Sequence, residues 1–142
     1  MIAQPDLLLQ QFVRAELGRM FVWGETNCVA LALRAVDAMH GTALHATHRK
    51  HMATATRARA WTRKHGARGV IDQLLRDGLV EVEPAFAQEG DILIGETADG
   101  QIAAHVALGA RVLSATETAG VCLLAYAAVS PAPTFAAGWR VA

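Results

Sequence analysis

The sequence has little with which to cross-link or stack itself. It carries two cysteines, four prolines, one tyrosine and only 6% aromatic residues among 142. Two cysteines allow at most one bridge, so a disulfide scaffold is excluded. Cys28 and Cys122 are expected as free thiols of a reducing compartment. With few aromatics, the 53% hydrophobic content rests on alanine and aliphatic residues, which predicts closely approaching elements. No apolar run reaches the roughly 20 residues needed to span a bilayer. The start, Met1-Ile2-Ala3-Gln4-Pro5-Asp6, lacks the basic segment and cleavage site of a secretory leader. A soluble protein made in the cytoplasm is expected. Repeats, low-complexity tracts and Pro/Gly-rich linkers are missing too, and the length fits one domain, residues 1–142.

One sign of charge is absent from a long stretch. Thr42 to Ile71 contains no acidic residue but holds Arg49, Lys50, Arg57, Arg59, Arg63, Lys64 and Arg68. Asp72 to Asp99 reverses the balance, with eight acidic residues against Arg76. The two stretches either neutralise each other across the fold or offer a charged surface to a partner. The basic stretch has Trp61 as its only aromatic and matches no nucleic-acid module. A solvated helix face, or a surface for a protein or anionic wall polymer, is expected there. His40, His45, His48 and His51 lack the cysteines or carboxylates of a structural zinc site, so neither metal nor cofactor is expected. Asp6, Glu16 and Asp37 read as helix-surface charges.

Periodicity predicts helices first and strands afterwards, the α+β pattern. Pro5 and Asp6 open an amphipathic helix that ends near Gly18. A second helix is predicted from about Thr26 to Met39, with Thr26 or Asn27 as N-cap and Gly41 as stop. Further helices are expected around 54–64 and 69–77. Short apolar segments then follow: 79–82, 91–94, 102–108, 111–116 and 121–126, with a last strand at about 138–141.

Cys28 falls in the first turn of a predicted helix, where dipole and free N–H groups favour a thiolate and can support an oxyanion. His105 stands inside the apolar segment Ile102 to Leu108. There it is either a core histidine satisfied by a neighbour or the general base for Cys28.

The run Phe21-Val22-Trp23-Gly24-Glu25-Thr26-Asn27-Cys28 resembles the signature of the NlpC/P60 papain-like cysteine peptidases, an aromatic–x–Trp–Gly element leading to Asp–Cys. Gly90-Asp91-Ile92-Leu93-Ile94, His105-Val106-Ala107-Leu108-Gly109 and Val112-Leu113-Ser114-Ala115-Thr116 are similar to that family's later motifs, in order. The resemblance covers nearly the whole chain. It implies a papain-like α+β fold with a basic helical insert at about 42–68. Cys28 would be nucleophile, His105 base and Ser114 imidazole orienter, with Phe21 and Trp23 lining a substrate cleft. Small size and the Trp139-Arg140-Val141 ending look like compact phage and prophage tail proteins. The implied activity is cleavage of amide bonds in peptidoglycan stem peptides, with tail-tip proteins as partners and possible incorporation in the virion tail. The alternatives are an inactive structural tail-tip component, or an acyltransferase or deamidase with the same dyad. Lecithin:retinol-acyltransferase-like proteins place histidine before cysteine, and here Cys28 comes first. Three positions depart from the family: Asn27 replaces Asp, Phe21 replaces Tyr, and Ser114 stands where His, Asn, Gln or Glu is usual.

Overall fold

The computed structural model describes residues 4–140. Helix α1 (Pro5–Glu16) precedes α2 (Cys28–His40), a short α3 (Leu44–His48) and α4 (Ala55–Arg76). Six strands follow: β1 (Val80–Val82), β2 (Ile92–Glu96), β3 (Ile102–Leu108), β4 (Arg111–Thr116), β5 (Gly120–Ala125) and β6 (Phe135–Gly138). They form one sheet in the order β1-β6-β2-β3-β4-β5, with every neighbouring pair antiparallel. The fold class is α+β. Among the described residues no helix is long and apolar enough to cross a membrane.

Both long helices pack on one face of the sheet. Ile92, Ile94, Ala104, Val106, Leu113 and Val121 meet Leu31, Leu33 and Val36 of α2, and Val70, Ile71 and Leu74 of α4, in a single buried cluster. Ala30, Ala32 and Ala35 are nearly inaccessible, so small side chains let α2 lie close to the strands. Since successive side chains alternate between faces, the other face carries Leu93, Ala107, Val112 and Ala136. These form a second, smaller cluster under Val129 and Tyr126.

Several boundaries differ from those the sequence predicts. The helices expected around 54–64 and 69–77 are both present within α4, separated at Gly66, whose φ of 67° and ψ of 177° are non-helical, and the second begins a little earlier than expected. Helix α3 lies where none was expected. Asp37 organises it by accepting from Thr42 Oγ1 (2.6 Å) and from the backbone N–H groups of Leu44 (2.8 Å) and His45 (3.0 Å). Glu16 is likewise no surface charge: it is buried and paired with Arg34 and Arg19. Burial opposes its ionisation, yet the two guanidiniums hold its pKa below the ordinary value. The final strand is Phe135–Gly138, shifted N-terminally from 138–141, and Val141 lies outside the described residues. Two contacts draw the chain out of the sheet after Gly138. Trp139 stacks on His40 at 5.3 Å, and Arg140 grips the buried Asp91 at 2.8 and 2.9 Å. A Cβ on Gly138 would lie 1.8 Å from Asp91 Oδ1, so only glycine lets that carboxylate in.

Candidate functional site

Residues 20–27 form a tight turn that delivers Cys28 to the start of α2. Thr26 Oγ1 accepts from the N–H of Val22 and donates to the carbonyl of Met20, both at 2.7 Å. Asn27 Oδ1 accepts from the N–H of Gly24 at 2.9 Å, while its Nδ2 faces Met52 Sδ at 3.5 Å. Neither side chain caps α2, contrary to expectation; both are spent inside the turn. His45 Nε2 lies 2.6 Å from the carbonyl of Gly24, and Arg49 pairs with Glu25. Gly24 has φ of 80°, and a Cβ there would press on Ala53 Cα at 3.3 Å. The Trp-Gly pair is thus a docking point for the insert.

Cys28 opens onto a cleft of about 230 Å3. Phe21, Trp23 and Asn27 form one wall; Met52, Arg59, Trp61 and Thr62 form another; Gln101, Ile102, Ala115, Thr116 and Glu117 close it along the sheet. Phe21 and Trp23 are set edge to face at 4.8 Å. Both residues, expected to line a substrate cleft, line this one. The wall from α4 was not foreseen, although Trp61 marks it as the sole aromatic of an otherwise polar stretch.

The cleft exists because β3 and β4 part. Strand β2 registers with β3 all the way to Glu96↔Ile102, but β4 registers with β3 only over Val106–Leu108. Beyond that point the Cys28 thiol stands against the freed edge of β3. Its Sγ lies 3.9 Å from the carbonyl of Ile102, near the backbone N–H of Ala104. Burial pushes the thiol pKa up, against the N–H groups of Ala104, Val29 and Cys28 that would favour a thiolate. At neutral pH the group is a protonated thiol filling a gap in a sheet ladder.

His105 is elsewhere. Strand alternation puts Ile102 and Ala104 on the helix face, beside Cys28, and therefore His105 on the outer face beside Leu93, its partner in β2. It does not line the cleft. Nδ1 is bonded to Ser114 Oγ at 2.9 Å, both residues are buried, and Nε2 has no protein partner. Burial lowers the pKa of the ring and keeps it neutral. The structure joins His105 to Ser114 as expected, and Cys28 to Phe21 and Trp23, but it does not join Cys28 to His105. His105 and Ser114 instead clip β3 to β4 one step past the last registered pair. Cys122, half-buried and free, faces Ser114 across β5.

The four clustered histidines are used singly: His40 on Trp139, His45 on Gly24, His48 on Asp77 at 2.6 Å, and His51 on Trp61.

An antiparallel sheet, helices on one face and a cysteine at a helix start beside an aromatic cleft define the class of molecule. The chain belongs to the family described as a domain of unknown function, DUF6950, whose model matches residues 4–141. No curated protein matches it.

Proposed function

We propose that this chain is a binding module that does not hydrolyse its ligand. It is built on a papain-like, NlpC/P60-type plan and serves as a structural component of a phage tail tip. The observation that carries this reading is the placement of Cys28 and His105 on opposite faces of one sheet. A general base must reach the proton it removes, directly or through one water. A β-sheet stands between these two groups. The thiol is held protonated by burial, and the cleft lining supplies Arg59, Glu117 and neutral polar groups but no imidazole. The phage assignment rests on the ordered sequence motifs, and the cleft offers a partner peptide an aromatic wall and a polar rim.

The second reading is the hydrolase itself, cleaving amide bonds of peptidoglycan stem peptides. It is favoured by Cys28 standing at the N-terminus of α2 in an open cleft, with N–H groups around its sulfur. It requires β3 to turn His105 to the helix face. Incubating the protein with purified peptidoglycan and measuring released amines separates the two. Equal, background-level release by wild type and Cys28→Ala is expected. Amine release that disappears in Cys28→Ala would establish the hydrolase.

A further inference from the structure

The first half of α4 carries a stripe that, Trp61 apart, neither the sheet nor the Cys28 cleft uses. Arg57, Ala60, Trp61, Lys64 and His65 recur at helical spacing, and together with Lys50 and His51 they line a groove of about 450 Å3. No acidic side chain lines it. Of the other cations of the insert, Arg49 is paired with Glu25 and Arg68 with Asp72 and Glu81, while Arg59 and Arg63 lie outside the groove lining. Among the described residues Lys50, Arg57 and Lys64 form no ion pair, and all three are exposed. The like charges act on one another. After burial, the causes that depress the His51 pKa are Lys50, His48, His65 and Lys64. A concentration of like charge held on a folded surface favours a ligand of opposite sign.

The geometry also restricts which anion fits. Arg57 and Lys64 are seven residues apart on the helix, so the cations extend over roughly 10 Å of axis. One small anion cannot meet both ends, whereas a chain of anions can. The groove has no free aromatic platform, because His51 is stacked on Trp61 at 5.5 Å and 10°, and His65 flanks the same ring at 5.3 Å. Ala60 is its only aliphatic lining residue. A bound peptide would need a hydrophobic anchor or a free strand edge, and a base would need a ring to stack on. A phosphate backbone needs neither.

We infer that the Lys50–Arg57–Lys64 groove is a binding site for a phosphodiester-linked polymer, recognised through its phosphates and not through bases or side chains. The probe is a labelled oligothymidylate, read by fluorescence anisotropy across a salt series. Binding should weaken with salt at a log–log slope of about −2, the value for three phosphate contacts on a flexible strand. Inorganic polyphosphate and a base-free abasic oligonucleotide should compete as well as the unlabelled oligothymidylate, and polyglutamate should not. Combined Lys50→Glu, Arg57→Glu and Lys64→Glu substitutions lie on exposed side chains and should reduce affinity at least tenfold with an unchanged circular dichroism spectrum. The inference is overturned by undiminished binding in that variant, by equal competition from polyglutamate, by a clear preference for the base-bearing strand, or by no salt-sensitive binding.

Discussion

On the helix face of the sheet, β3 presents Ile102, Ala104 and Val106 to α2 and α4, and the Cys28 thiol meets the strand where its ladder with β4 stops. On the outer face, the same strand presents His105 and Ala107 to a thin layer built from Tyr126 and Val129. The first face is thick, aliphatic and open at one end. The second is thin, sealed, and holds its polar residues in a row across the strands: His105, Ser114, Cys122. One residue of strand register decides which face a side chain joins. A histidine at 104 would stand beside the thiol; at 105 it serves the opposite layer.

If His105 is a clip and not a base, its removal should show in stability. His105→Ala should lower the free energy of unfolding by about 2 kcal/mol, through a small cavity and an orphaned Ser114 hydroxyl. Adding Ser114→Ala should restore about 1 kcal/mol of that loss, since the orphan disappears. Urea denaturation of the two variants measures both, and a neutral His105→Ala would break the comparison.

The pH dependence sharpens it. The His105 pKa is lowered in the fold by burial, while an unfolded histidine titrates near 6.5. As pH falls below about 6.5, the unfolded chain takes a proton here that the native chain refuses. Native stability should then decrease by up to about 1.4 kcal/mol per pH unit until the lowered native pKa is reached. His40 and His51 shift in the same direction. Part of the slope should therefore remain in His105→Gln, and that variant's urea midpoints between neutral and mildly acid pH isolate the contribution.

The smallest effect is expected on the helix face. Cys28→Ala should cost no more than about 1 kcal/mol, because the Ile102 carbonyl and Ala104 N–H it exposes open onto a cleft that water can enter. A loss exceeding that of His105→Ala would reverse the ranking of the two faces.

Much of the architecture was legible because it rests on local signals. The 3.6-residue period of α2, the Gly41 stop, and the short apolar segments separated by glycines fix the α+β class and most strand limits. What was hidden depends on distant partners. Asn27 looked like a cap until Gly24 and Met52 claimed it, and Glu16 looked exposed until Arg34, eighteen residues on, reached it. The final strand moved because Asp91 holds Arg140. The motif order put Cys28 in its turn and paired His105 with Ser114. It did not show the face on which His105 lies, because that depends on the strand's register against α2.

The order β1-β6-β2 has a consequence for biogenesis. Residues 135–138 sit between two strands synthesised much earlier, so the sheet is bipartite until the ribosome has delivered them. A nascent chain stalled before Phe135 leaves the facing edges of β1 and β2 unpaired, and such edges are templates for aggregation. Closure of the sheet therefore waits for residues 135–138, and a chaperone that shields strand edges would act on the chain before they emerge.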